Sequence, residues 1–301
     1  MIATTSAPPR RALVLVNPNA RRGTSALDPV LARLEAGGIR CRVERFETPQ
    51  AVSTEIVASR DGIDLVVVCG GDGTINSAAR GVLETGLPMG IIPLGTANDL
   101  ARTLGLPLDP AAAADVIAQG HRRRLDLGEV NGHCFFNVAS MGLSADLARG
   151  LTRETKQRWG QLGYAIAAFK VLLAAKPFRA TITNKDVTVE VKTLQIAVGN
   201  GVHYGGGNVV AKGATIEDGH LDLYSLELRN VWTLALRLGA FRRGEHGAWD
   251  EVRTVRCTEF DIRTPTPQPI NTDGDIVTHT PAHFLIRPDA VSVFAPRPAT
   301  A

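Results

Sequence analysis

The fold class that this sequence predicts is a three-layer, doubly wound α/β domain over residues 1–123 followed by an all-β domain, a sandwich, over 124–301. Three observations lead there. Apolar runs alternate with helix-spaced segments through the first domain, the pattern that builds a parallel sheet with helices on its faces. The run 65–69 is continuously apolar and empties into three glycines within four positions, as a strand buried on both faces does where it meets a tight turn. Beyond residue 124 the period shortens to closely spaced alternating segments parted by Gly and Pro, which suits a sandwich.

Taken in order, residues 12–16 form a strand that ends at Asn17-Pro18-Asn19, with Arg21, Arg22 and Gly23 in the following loop. An Asn side chain beside a basic loop suits a nucleotide phosphate or base; the plain alternative is an Asn-Pro turn with a solvated Arg pair. Val30, Leu31 and Leu34 place a helix over 28–37, stopped by Gly37 and Gly38. A strand at 41–46 leads to Thr48 and Pro49 and then a helix over 51–59. After the strand 65–69 comes a helix over 74–83, then a strand at 89–92 and a helix over 98–104. An Ala-rich helix over 109–119 closes the first domain, and the basic run 121–124 reads as a solvated linker.

The second domain opens with strands at 125–130 and 134–139 joined by an Asn131-Gly132 hairpin turn. Residues 154–176 predict a helix apolar over much of its circumference, packed on the sandwich, with a lipid-facing role as the alternative. Further strands are expected at 180–183, 187–191, 194–199, 221–225, 254–262, 270–273 and 282–286, with a helix at 231–241 and a frayed tail over 295–301.

Composition narrows the function. A formal charge of +3, 21% charged residues and scattered basic side chains describe an ordinary soluble protein, and three Tyr and three Trp offer little for stacking, so no nucleic-acid partner is expected. Cys41, Cys69, Cys134 and Cys257 lie far apart and read as buried free thiols of a reducing cytosol. The first residues lack an apolar signal-peptide core, and no stretch reaches the length of a membrane span. The seven histidines show no zinc-ligand spacing, and no nucleophile triad stands out.

The chemistry concentrates in two turns. In Gly70-Gly71-Asp72-Gly73-Thr74 the glycines let backbone N–H groups approach an anion at the start of the next helix. Asp72 would repel a phosphate unless a cation or ribose hydroxyl lay between, which argues for nucleotide plus metal. A second anion-friendly turn, Pro93-Leu94-Gly95-Thr96-Ala97-Asn98-Asp99, follows the next strand. Two such turns from successive strands face one crevice at the carboxyl ends of a parallel sheet.

Together these two segments resemble the catalytic domain of the diacylglycerol kinase superfamily, specifically its soluble bacterial lipid kinases. The Gly-Gly-Asp-Gly-Thr element alone is shared with NAD kinases and 6-phosphofructokinases, whereas its pairing with Gly-Thr-Ala-Asn-Asp is far more specific. Segments 124–128, 135–142, 198–207 and 214–222 are also similar to the family, so the resemblance runs from Asn17 to about Val293. It implies an NAD kinase/diacylglycerol kinase-like fold and an ATP-dependent lipid kinase that transfers the γ-phosphoryl group to a lipid hydroxyl, with diacylglycerol the expected acceptor and phosphatidic acid the product. Residue by residue it implies nucleotide contacts from Asn17, Thr48, Gly70, Gly71, Asp72, Gly73, Thr74, Asn76, Thr96 and Asn98.

The same resemblance implies a structural magnesium held by Asp218 and by the backbone carbonyls of Thr215 and His220, with Asp72, Asp99 and Asp126 completing a carboxylate and water network. Asn271-Thr272-Asp273-Gly274-Asp275 takes the place of the family's Asp-Gly-Glu, whose Glu is the proposed base. Asp275 keeps the carboxylate but withdraws it by one methylene, about 1.5 Å; the plain alternative is an Asp-Gly-Asp turn between strands. Ser77 also departs from the family, which has Glu there. A kinase of this kind is expected to be cytoplasmic and transiently membrane-associated, meeting its lipid at the cytoplasmic surface in a role in phospholipid biosynthesis, and the resemblance leaves room for a homodimer. Two other readings stand beside it: an NAD kinase-like phosphotransferase, and a non-catalytic nucleotide or lipid sensor on the same scaffold.

Overall fold

The computed structural model describes residues 10–18, 26–143, 176–185, 187–200, 215–227 and 252–297, with the backbone of 203–204 and 208–209. The expected helices at 154–176 (save Lys176) and 231–241, the loop with Arg21, Arg22 and Gly23, and much of 198–207 lie outside the described residues. The chain divides into two compact units, Met1–Leu125 with Ala290–Ala301, and Asp126–Asp289.

The first unit alternates strands and helices: β1 Arg10–Val16, α1 Leu27–Ala36, β2 Ile39–Arg45, α2 Pro49–Ser59, β3 Leu65–Gly70, α3 Asp72–Thr85, β4 Met89–Pro93, α4 Asp99–Thr103 and α5 Pro110–Gln119. The strands pair in parallel in the order β2-β1-β3-β4. Every residue of β3 is buried, as its unbroken apolar run requires when both faces are covered. One face, with Ala12, Val14, Leu65 and Val67, packs on Val30 and Leu34 of α1 and Ala113 and Ile117 of α5. Leu13, Leu15, Val66 and Val68 alternate to the other face and are equally buried, and α2 and α3 pack together. This is the three-layer arrangement expected.

Local chemistry explains the helix ends. Asp109 caps α5 by accepting the Ala112 N–H at 2.9 Å, Pro110 follows at the first turn, and Gly120 closes the helix at φ 79°. The helix after β3 starts two residues before the expected 74, because first-turn N–H groups need no intrahelical partner and Gly73 costs little there.

In the second unit β5 Arg122–Val130, whose first residues belong to the first unit, turns back into β6 His133–Phe135 through Asn131 and Gly132, both at positive φ, as the hairpin signal predicts. Then follow β7 Val138–Gly142, β8 Phe178–Asn184, β9 Val187–Thr193, β10 Gln195–Gly199, β11 His203–Tyr204, β12 Asn208–Val209, β13 Leu221–Leu226, β14 Val252–Cys257, β15 Glu259–Arg263, β16 Pro269–Thr272, β17 Asp275–His279 and β18 Ala282–Phe294. One sheet runs β14-β13-β10-β7-β16-β17, all antiparallel. The start of β18 pairs with β15, which continues to β8 and β9. Met141, Ile196, Leu223 and Ile270 of the first sheet share a core with Ala180, Ile262 and Phe284 of the second, and Phe260 stacks on Phe284 at 4.9 Å.

Three sequence expectations change. Residues 122–124 of the basic run open β5 rather than forming a linker; just before them the His121 ring meets the Ala295 carbonyl at 3.1 Å, and the Arg122 guanidinium lies over Phe294, so these side chains meet the end of the last strand and the residue after it. The single strand expected at 254–262 is two strands in different sheets, parted at Thr258. The last strand extends to Phe294 and its end joins the first unit, pairing Val293 with Met89 in parallel, although that stretch was expected with the second domain. The cysteines are free, with Cys69, Cys134 and Cys257 buried; burial pushes the Cys69 thiol up to about 12.

Candidate active site

In the order β2-β1-β3-β4 the chain winds outward in both directions from β1 and β3, which makes their carboxyl ends a topological switch point. Asn17 lies there, its N–H donating to the Cys69 carbonyl at 3.1 Å and its side chain to Thr74 Oγ1 at 2.8 Å. Beside it β3 ends at Gly70, and Gly71 caps α3.

The two glycine turns touch backbone to backbone. A Cβ on Gly95 would lie 2.5 Å from Gly71 Cα, and one on Gly71 3.1 Å from Gly95 Cα, so no side chain fits at the junction. The Leu94 N–H also donates to the Gly70 carbonyl at 2.9 Å. Asn98, at φ 52°, folds its amide back onto Gly95, accepting the Gly95 N–H at 2.9 Å and donating to the Gly95 carbonyl at 3.2 Å. Asn98 is thereby spent on shaping the turn, whereas Thr96 and Thr48 are exposed. Gly95 stood in the quoted motif but not among the expected contacts; what marks it is a neighbour distant in sequence.

Asp72 links the turns. Its carboxylate accepts the Leu100 N–H at 3.2 Å, at the first turn of α4. Burial, and then the Asp99 carboxylate, raise its pKa above the ordinary value, against the backbone N–H bonds that lower it. A raised pKa in the folded state means stability that is full below the unfolded value near 3.9 and lost as pH rises through the folded value. Asp72→Asn is therefore expected to melt higher than the parent at neutral pH without nucleotide, the difference shrinking as pH falls to 4. Thermal melts across that range check it; no gain at pH 7 would mean that the ionised carboxylate carries no net cost.

Ser77, where the family has Glu, donates its hydroxyl to the Thr74 carbonyl one turn back at 2.7 Å. Thr74 is itself buried, while Asn76 is half-buried.

In the second unit Asp218 organises the loop expected to hold a metal. Oδ1 accepts the His220 N–H at 3.1 Å, and Oδ2 accepts the Thr215 N–H at 3.0 Å and lies 2.7 Å from Arg256 Nη2. Burial raises the Asp222 carboxyl nearby, Arg256 opposes this, and Asp218 adds to it. Asp126, almost wholly buried, fastens the same loop: its two oxygens accept the Gly219 N–H at 2.6 Å and the Asp289 N–H at 2.8 Å. Of the residues expected in a carboxylate network, Asp72 feels the charge of Asp99, and Asp126 bonds the 215–220 loop.

Asp275 is the exposed first residue of β17 and pairs with Thr272 of β16 across the two-residue turn Asp273-Gly274. Both turn residues have positive φ, 47° and 112°, as the Asp-Gly turn signal predicts.

Comparison with known proteins agrees with the fold. The model of the diacylglycerol kinase catalytic domain matches residues 11–130, and that of the YegS C-terminal NAD kinase beta sandwich-like domain matches residues 137–295. A diacylglycerol kinase of Staphylococcus saprophyticus is 29% identical over 292 residues, covering 95% of this chain and 96% of its own. One of Staphylococcus epidermidis is 28% identical over 300 residues, covering 96% and 93%. Among solved structures, a diacylglycerol kinase candidate from Bacillus anthracis superposes with a TM-score of 0.85 at 25% identity over 100% of both chains.

Proposed function

The chain belongs to the lipid-kinase family that joins a diacylglycerol kinase catalytic domain to a YegS C-terminal domain, a family of phosphotransferases, and from this membership we propose that it transfers the γ-phosphoryl group of ATP to the hydroxyl of diacylglycerol, giving phosphatidic acid. Membership implies ATP as donor and a lipid as acceptor. The observation that most supports the assignment of parts is the backbone contact of Gly71 with Gly95, which joins two anion-friendly turns at the ends of adjacent parallel strands.

On this reading the N–H groups of 70–74 cradle phosphates at the N-terminus of α3, and Thr96 and Thr48 reach the nucleotide from exposed positions. Asn17, Thr74 and Asn98 shape the cradle through their mutual and backbone bonds. Phosphoryl transfer spreads charge over the transferred oxygens, so positioning and neutralisation do most of the work. Asp275 accepts the proton of the lipid hydroxyl as the oxygen attacks phosphorus.

Thr215, Asp218 and His220 fit magnesium in kind: carbonyl and carboxylate oxygens are hard donors, and among the described residues Asp218 Oδ1 carries only the His220 N–H, although Arg256 competes for Oδ2. When bound, magnesium would supply positive charge that the clustered carboxylates otherwise lack. Magnesium alone is expected to raise the melting temperature of the parent protein and not that of Asp218→Asn; equal shifts would remove Asp218 from the metal site.

The activity is tested by incubating the protein with labelled ATP, magnesium and a total lipid extract, then identifying the labelled product. Labelled phosphatidic acid is the expected result. Label on NAD, when NAD is offered, would support the NAD kinase-like reading, and nucleotide binding without labelled lipid would support the sensor.

No helix of the described residues is long and apolar enough to cross a membrane. As a member of a lipid-kinase family, the chain is proposed to meet its acceptor at the cytoplasmic membrane surface.

A further inference from the structure

Resting on the reading of Asp275 as the base, we propose that Asp273 is a positioning residue that fixes where the Asp275 carboxylate stands. Strand β6 ends at Phe135 and β7 begins at Val138, so the backbone between them leaves the ladder. The Asp273 carboxylate fills the gap. Oδ2 accepts the Phe136 N–H at 2.8 Å, and Oδ1 accepts the Val138 N–H at 3.0 Å and the Asn137 N–H at 3.1 Å. In return the Asp273 N–H donates to the Val138 carbonyl at 3.0 Å. Bonds from N–H groups to an ionised carboxylate are the stronger kind, and three converge on one side chain.

The turn is also braced internally, with the Gly274 N–H donating to Asn271 Oδ1 at 3.1 Å. At the far end of the same hairpin Asn131 donates to the Pro281 carbonyl at 3.1 Å and the His279 carbonyl at 3.3 Å, and accepts the His283 N–H at 2.9 Å. The β16–β17 hairpin is therefore tied at both ends to the segment that runs from β5 through β6 to β7.

Asp275 itself is exposed, and its side chain makes no hydrogen bond or ion pair among the described residues. Among the described residues, the turn backbone is what sets where its carboxylate sits. Being one methylene shorter than a glutamate, it also has less reach with which to make up for a displaced turn. Asp273 lies two residues before it and carries the restraint.

A double-mutant cycle separates this role from a merely structural one. Asp273→Asn keeps the shape but turns an amide toward N–H donors. It is expected to lower kcat about 10–100-fold, the penalty of a misplacement near 1 Å, with the KM for ATP unchanged. In the Asp275→Asn background the same substitution is expected to cost no more than about twofold, since the group it positions is gone. An equal cost in both backgrounds would overturn the proposal. The single Asp275→Asn variant reports on the parent reading: wild-type turnover there sinks the base assignment and this proposal with it, whereas a large loss there with additive costs sinks only the positioning role. If Asp273→Asn does not fold, Asp273→Glu keeps the charge but moves the carboxylate off the Phe136, Asn137 and Val138 N–H groups, and the same cycle is read from it.

Discussion

Asp275→Asn is expected to lower kcat for lipid phosphorylation by about 10²–10⁴-fold, the usual contribution of a positioned general base, with the melting temperature unchanged. The separation of the two readouts follows from the structure. Asp275 is exposed at the start of β17, belongs to no core cluster, and follows a turn shaped by Asp273, Gly274 and Asn271 rather than by its own side chain. Amide for carboxylate removes basicity and almost no packing. Initial rates with saturating ATP and lipid, set beside a thermal melt, measure both. Full activity in the variant would place proton acceptance elsewhere and leave 273–275 as a plain turn.

Gly95→Ala is expected to destabilise the protein by about 1–3 kcal/mol, the range for forcing atoms into filled space, and to weaken ATP binding in parallel. The added Cβ would lie 2.5 Å from Gly71 Cα and 2.7 Å from Asn98 Oδ1. Backbone blocks one side and an amide committed to two bonds with Gly95 blocks the other, so the two turns have to part. Gly62→Ala is the matched control, because a Cβ there meets nothing within 4 Å. Urea unfolding and ATP titration of both variants decide the matter. Lost stability with unchanged ATP affinity would show that the turns do not bind phosphate as one unit.

The legible part of this molecule was its periodic part. Strand β3, the alternation of strands and helices around it, the Asn131-Gly132 hairpin and the Asp273-Gly274 turn follow from local rules: burial on both faces demands an unbroken apolar run, and positive φ demands Gly, Asn or Asp. The basic run 121–124 misled because exposed charge was taken for a linker, whereas Arg122 and Arg124 are exposed at the start of a strand. The long side chains of Arg10 and Arg122 lie over Phe294, a residue supplied by the last strand. The 254–262 run misled because its apolar alternation continues through a change of sheet that only pairing partners define.

By itself the sequence determined the doubly wound class, the two glycine turns and the family to which they point, since each is written in residues close together along the chain. Tertiary structure alone decided that Gly71 and Gly95 meet, that Asp72 reaches the first turn of α4, and that Asp273 caps a gap between strands more than 130 residues earlier. Those are contacts between segments remote in sequence, set by strand order and register, and no local spacing records them.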